Sequence, residues 1–457
     1  MSPPTHQELR EQLARCPAAE LADLLVQLAD QSTEVEKAVQ TFLLRGDPKA
    51  LARSLRSRIA SVSRGTRFFF RAEVHALARR LEDLLSTIEK DLLPADPLLA
   101  LRCLGAFLAS DEKIYPRVDD SSGVIGDAYH EACRLLGVAS TAANQPPEAT
   151  ELFLSLSSKN PYGTRDRLFD EAARIVAPDD LQAIVDEWYE RYQEERGEPL
   201  PGIGVQLSAV ARSMGRLSLF EETLLGGRSL EDVPLFTPQL VRVYLEHGQP
   251  ETALDRFRTG TKGKHLFEYS AMLLELHAAL PAHDEISRRL WEAFAASADS
   301  SLADAYLERL PAGERDFIRE RMRQHVRTAG FSLLQQAEFF LAMGETATAA
   351  ALLENGYNSL TENDSEYSLV SLARRLENPE PLAASLLYRA ALASLLRTSN
   401  SRYYSRAVHY AKTLKSLSEE ITDWKAAPPP ERFWQQIRED HGRKPAFWKK
   451  LAQASLP

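Results

Sequence analysis

Apolar residues recur along this chain at intervals of three and four, the spacing that lines one face of an α-helix. Leu21, Leu24, Leu25 and Leu28 form one such stripe behind Pro17. Proline suits the first turn of a helix, because the N–H it lacks would be unpaired there anyway. Leu181, Ile184, Val185, Trp188 and Tyr189 form a second stripe, opened by Asp179 and Asp180. Their charges complement the positive end of the helix dipole. The same periodicity predicts helices over Leu81–Leu93, Leu98–Leu108, Leu302–Leu310 and Tyr403–Leu417. No run of period-two alternation is bounded by turn residues, so no sheet is expected and the fold class is all-α.

Two predicted hairpins share one spacing at an interval of 96 residues. They are Tyr244-x3-Gly248-x4-Ala253-x3-Phe257 and Phe340-x3-Gly344-x4-Ala349-x3-Leu353. A large side chain ends the first helix, a glycine turns the chain, and an alanine sits where the second helix crosses the first. This is the pattern of a tetratricopeptide-type helix pair. One pair cannot bury its apolar face alone. The expected architecture is therefore an α-solenoid of antiparallel helix pairs, tetratricopeptide-like in the C-terminal half. The interval is too long for adjacent units, so Ile286–Phe294 and Leu302–Leu310 are expected as divergent helices between them.

Proline, glycine and small polar residues punctuate this pattern. Thr141–Glu148 is the strongest expected boundary, and Gly197–Gly204, Gly226–Pro234 and Thr259–Lys264 are further loops. Ala426–Pro430 sets off a short tail. The expected organisation is an N-terminal helical module at 1–140, a middle module at 149–225, a tetratricopeptide-like array at 226–425 and a C-terminal capping tail at 426–457.

With 457 residues, 44% apolar and 26% charged, the chain is too long for one core and too apolar for disorder. Its formal charge of −10 excludes nonspecific binding of nucleic acid or anionic lipid by the molecule as a whole. Arg45–Arg80 departs from that balance, with a net charge of +8. Phe68, Phe69 and Phe70 interrupt this basic segment. Arginines beside aromatics grip phosphates and stack bases, which makes Arg53, Arg56, Arg64, Arg67 and Arg71 candidate nucleic-acid contacts. They share a face only if a helix runs unbroken through Gly65. The competing reading is an arginine-rich helix face paired with the chain's own acids, its phenylalanines in the core.

The remaining chemistry is sparse. Cys16, Cys103 and Cys133 are odd in number and form no CxxC, so a reducing compartment is expected. No secretory leader is read near Met1, and Arg389 breaks the longest apolar stretch, Pro381–Leu396. A cytoplasmic protein without membrane association is expected. His130-Glu131 begins an HExxH motif, but Arg134 stands where the second zinc ligand belongs. Asp119–Glu131 fits a calcium loop in neither register. It reads instead as a turn in which Asp127 helps to cap the following helix. No phosphate loop, dinucleotide fingerprint or nucleophile elbow is present. No metal, cofactor or catalytic residue is assigned, and a noncatalytic protein is expected.

Three of the five tryptophans fall in the last 34 residues. Arg443, Lys444, Phe447 and Trp448 mix cations with aromatics there. They read either as a docking element, since Trp and Arg concentrate at binding hot spots, or as the cap that closes the last helix pair.

Several stretches taken in order carry a resemblance. They are Ala19–Asp30, Ala95–Leu136, Asn160–Arg165 (NPYGTR), Arg289–Pro311, Pro381–Leu396 with Arg402–Leu417, and His441–Trp448 (HGRKPAFW). Along nearly its whole length the chain resembles uncharacterised bacterial helical-repeat proteins known only as a domain of unknown function. Some relatives of that type accompany a zinc-binding SWIM segment, but this chain has no CxC…CxH and no zinc site carries over. The resemblance implies an all-helical repeat fold and brings no activity. The expected function is a helical-repeat scaffold that binds an unidentified protein partner, with a nucleic-acid-associated protein using Arg45–Arg80 as the alternative and an unrecognised enzyme as the third.

Overall fold

The computed structural model describes residues 6–194, 202–360, 365–398, 400–454 and 456. Regular structure among them is helical, apart from one isolated bridge between Phe69 and Val118. Residues 197–201 of the expected Gly197–Gly204 loop lie outside the described residues, and Gly202 already opens the helix Gly202–Ser213. Local sequence explains several helix starts. Asp47-Pro48 and Asp96-Pro97 each put a capping carboxylate before a proline in the first turn. Asp47 accepts from the Ala50 amide at 3.0 Å, and Asp96 accepts from the Leu99 amide at 3.0 Å.

The chain forms two compact units, Met1–Phe236 and Thr237–Pro457. In the first, the helix Val124–Ala142 packs against Arg71–Thr87, Pro97–Leu108, Arg167–Asp170 and Ala172–Ile175. Ile125, Ala128, Tyr129, Ala132, Cys133, Leu135, Leu136 and Ala139 are buried along it. Its cap corrects the expectation placed on Asp127. Asp120 takes that role, accepting from the Ile125 amide at 3.0 Å and the Gly126 amide at 2.9 Å. Asp127 lies a turn inside the helix, and its own amide is already bonded to the Gly123 carbonyl at 2.9 Å. The Thr141–Glu148 stretch lies inside the first unit as a tight turn between two helices. Gln145 there donates through Nε2 to the Ala173 and Val176 carbonyls, both at 2.9 Å.

In the second unit both expected hairpins form. Thr237–Glu246 pairs with Pro250–Gly260, and Leu333–Ala342 pairs with Thr346–Gly356. Gly248 and Gly344 adopt φ of +68° and +79°, the left-handed region that glycine enters without steric cost. The next amide returns to the helix, Gln249 to Tyr244 at 2.9 Å and Glu345 to Phe340 at 2.8 Å, which is the Schellman closure. Tyr244, Ala253, Phe257, Phe340, Ala349 and Leu353 are all buried. Asp284–Ser297 and Ser300–Glu308 pack together in the interval between the hairpins.

A third hairpin with this turn lies in the first unit, between Gly202–Ser213 and Leu217–Leu225. Gly215 has φ +69°, and the Arg216 amide returns to the Ala211 carbonyl at 2.8 Å. The spacing pattern misses it because Ala211 stands where an aromatic is sought and Phe220 where a small residue is sought.

After the second hairpin of the C-terminal unit, Glu366–Leu376 packs on Pro381–Arg397, which packs on Tyr404–Glu420. The tail folds as two more helices. Pro430–His441 contacts Pro381–Arg397, and Pro445–Gln453 contacts Tyr404–Glu420.

Ala253 is fully buried at the crossing of its hairpin. Ala253→Trp should overpack it and destabilise the second unit by ~1–3 kcal/mol or more, measured by urea unfolding. An unchanged midpoint would mean that the two helices do not cross there.

Candidate functional site

Among the described residues, four gatherings of polar side chains bear on function, and each has different chemistry. The most enclosed is built from NPYGTR. Arg165 is 2% exposed and pairs through Nη2 with the fully buried Asp111. Its Nη1 donates to the carbonyls of Lys159 at 2.8 Å and Leu156 at 3.2 Å. Thr164 Oγ1 donates to the other Asp111 oxygen at 2.5 Å. Asn160 closes the turn, accepting from the Arg165 amide at 3.2 Å and donating to Asp166 at 2.7 Å. One residue before Asp111, Ser110 Oγ lies 2.9 Å from the buried Tyr129 hydroxyl. Burial pushes the Tyr129 phenol well above its ordinary range. Its centre, Asp111, Thr164 and Arg165, is buried, so it pins loops and helices together.

The buried thiols are equally withdrawn. Burial pushes Cys103 up to about 11 and Cys133 up to about 12, which keeps both as protonated thiols and poor nucleophiles at neutral pH. Glu131, beside His130, is held by Arg134 at 2.6 and 2.9 Å. Among the described residues, no group of three or more His, Cys, Asp and Glu side chains is placed to hold a metal ion. Among them, no helix is long and apolar enough to cross a membrane.

The basic segment divides. The helix Pro48–Ser63 ends before Gly65, and the next begins at Arg71. Arg53 and Arg56 therefore lie on one helix, Arg64 and Arg67 in the connection, and Arg71 at the start of another. All five are exposed. Arg67 pairs with Glu73, Arg45 lies 2.9 Å from Asp91, and Arg58 donates to Thr41 at 3.0 Å. The expectation that the three phenylalanines enter the core is corrected. Phe69 is half-buried, because its backbone bridges Arg117 at 2.8 Å and Asp119 at 3.0 Å. Extended backbone sends alternate side chains to opposite faces, so Phe68 and Phe70 both turn outward, 43% and 67% exposed. Their rings meet edge to face at 5.2 Å.

A third cluster surrounds the Thr259–Lys264 loop, where a cleft of about 420 Å³ is lined by Arg258, Lys262, Lys264, Phe267, Arg289 and Glu292, among others. Its two arginines share one carboxylate. Glu285 pairs with Arg258 and, at 2.7 Å, with Arg289. The hydrogen bond from Arg258, then that from Arg289, hold the Glu285 carboxyl down at about 2.

The fourth lies in the C-terminal tail. Phe447 is buried against Tyr404 with ring centroids 5.9 Å apart, and Trp448 Nε1 donates to the His441 carbonyl at 3.0 Å. Arg443 is exposed, and the Lys444 carbonyl accepts the Phe447 amide at 3.0 Å. Sequence reasoning named these four and missed the neighbouring Arg389. That residue is 7% exposed, with its guanidinium carbon 4.3 Å from the Trp424 ring centre and 4.7 Å from that of Phe433. Nη1 donates to the Pro428 carbonyl at 2.5 Å, while the buried Nε has no hydrogen-bond partner among the described residues. Burial lowers this guanidinium to about 10. Arg389 also lines a cleft of about 490 Å³, with Leu414, Lys415, Phe433, Trp434 and Arg438 among its other walls. The available signal was the lone charge inside the apolar run Pro381–Leu396.

A family model described as "Family of unknown function (DUF6880)" matches residues 8–217 and 228–450. No curated protein and no solved structure matches the chain.

Two measurements test these electrostatics. Asp111→Ala leaves a buried guanidinium without its carboxylate and should cost ~3–5 kcal/mol, read as faster amide exchange in Val124–Ala142. Unchanged exchange would show that the pair does not hold the first unit together. Glu285 has a depressed pKa, so its stabilisation is complete above the ordinary value of 4.5 and is lost as pH falls toward about 2. Glu285→Gln should therefore flatten the dependence of thermal midpoint on pH across that window and leave the slope above pH 5 unchanged.

Proposed function

Because the chain belongs to this family of unknown function and takes no activity from relatives, we propose from its surfaces that it is a noncatalytic helical-repeat scaffold that binds another protein. The observation that carries this reading is the N-terminal helix Ala18–Gln31, which buries none of its residues. Leu24, Leu25, Val26 and Leu28 are 40–59% exposed along it. Leu9 and Leu13 on the preceding helix are exposed as well, as are Phe42 and Leu43 at the end of the following one. Apolar surface left in water costs about 25 cal/mol per Å², and patches of this kind mark docking sites. A helix with an open apolar face is suited to insertion into a partner's groove.

The helix pairs of the second unit support the same reading, since paired helices stacked as an α-solenoid offer extended binding surfaces. The two buried thiols and the buried Asp111–Arg165 pair favour a scaffold over an enzyme. In this reading the protein works in the cytoplasm, without a metal or cofactor.

Exposed Phe68 and Phe70 beside Arg64, Arg67 and Arg71 favour a second reading, in which this segment contacts nucleic acid. Its binding should weaken steeply with salt and vanish when the three arginines become glutamate. Absence of any shift of RNA or DNA at low salt rejects it.

Leu24→Asp with Leu28→Asp tests the main reading. Both side chains are exposed, so the thermal midpoint should hold, while recovery of a stoichiometric partner from native lysate falls at least tenfold. A wild-type chain that captures no stoichiometric partner in several growth states, or a variant that captures it equally well, overturns the proposal.

A further inference from the structure

We infer that the C-terminal cleft lined by Arg389, Lys415 and Arg438 is a binding site for a small oxyanion, a carboxylate or phosphate monoester carried on a flat apolar ring. The inference is independent of the protein-docking reading above, because it rests on different residues and a different ligand chemistry.

Charge provides the first argument. An arginine buried without a carboxylate loses its hydration and gains no opposite charge in return. The Arg165 site meets that cost with Asp111, and the Thr259–Lys264 cleft meets it with Glu285. Among the described residues Arg389 has the Pro428 carbonyl, two ring faces and the nearby Tyr357 phenol, and no carboxylate; its Nε, like that of Arg165, has no hydrogen bond. Lys415 and Arg438 line the same cleft, and among the described residues neither they nor Arg389 forms an ion pair. Glu431 is the one acid among the lining residues and is exposed. The Arg438 guanidinium also lies over the Trp448 ring, 5.0 Å from its centre, and three cations thus line a concavity with one carboxylate on its wall, an arrangement that favours an anion.

Shape and lining provide the second argument. The volume of about 490 Å³ falls within the range of small-ligand sites. Phe433 and Trp434, in edge-to-face contact at 5.3 Å, join Leu414 in supplying apolar walls. A flat ring would lie against these walls with its oxyanion toward the cations. Guanidinium groups recognise both carboxylate and phosphate oxygens in a planar fork, so the geometry identifies the class of ligand and leaves the choice of oxyanion to measurement.

The experiment is isothermal titration calorimetry of the full chain at low salt with benzoate and phenyl phosphate, beside neutral benzamide and inorganic phosphate. At least one of the two aromatic anions should bind saturably, and the tighter of them identifies the oxyanion. Benzamide should bind at least tenfold more weakly than that anion, and so should inorganic phosphate. Lys415→Ala with Arg438→Ala changes two exposed side chains and should weaken binding at least tenfold with the thermal midpoint retained. Trp434→Ala should weaken it through loss of the ring wall, and Arg389→Met should remove it. Because Arg389 also secures the tail, the exposed double variant decides the outcome if Arg389→Met fails to fold. Saturable binding of neither aromatic anion overturns the proposal, as does equal binding of benzamide or an unaltered affinity in the double variant.

Discussion

A two-helix hairpin buries the face between its helices and leaves an outer apolar face that only a further layer can cover. That constraint runs through this protein. In the second unit it is met by succession, each pair packing on the helices next in sequence and the tail helices covering Pro381–Arg397 and Tyr404–Glu420. In the first it is met by gathering several helices around Val124–Ala142. At Ala18–Gln31 it goes unmet, with leucines left in water. The proposed partner surface is thus the place where the protein's own packing rule stops short.

Two buried arginines show how context changes the meaning of one residue type. Arg165 has a carboxylate and two carbonyls around it, and its geometry fastens the NPYGTR turn to Asp111. Arg389 is held by ring faces and a single carbonyl, at the edge of an open cleft. The first meets its charge with a buried carboxylate, although its Nε too has no hydrogen bond among the described residues, so it is structural. The second has no carboxylate partner among the described residues and lies at the wall of a cleft, so it suits an anionic ligand.

The helices that the sequence places were legible because their signals are local. Stripes of leucine, Asp-Pro caps and glycine turns act within a few residues, and the hairpins at Gly248 and Gly344 carry the expected left-handed glycines. The hairpin at Gly215 was hidden by its side chains, since a glycine turn tolerates Ala211 and Phe220 where the pattern asks for an aromatic and an alanine. Local reasoning also misassigned the Val124–Ala142 cap to Asp127, because nothing in the spacing shows that Asp120 reaches across the turn to the Ile125 and Gly126 amides. The phenylalanine triplet was misplaced for a related reason. One long-range backbone bridge, from Phe69 to residues 117 and 119, set the facing of all three rings.

The candidate sites divide along the same line. Sequence alone determined the all-helical class, the positions of the strongly periodic helices and of two glycine turns, and the family, because these follow from short-range periodicity and ordered motifs. The tertiary structure alone decided that Asp111 meets Arg165 across 54 residues. It also decided that Gly65 breaks the arginine face, and that Arg389 lies between Trp424 and Phe433 beside Lys415 and Arg438. Burial, charge pairing and concavity depend on which distant segments meet, and that information resides in packing and not in spacing along the chain.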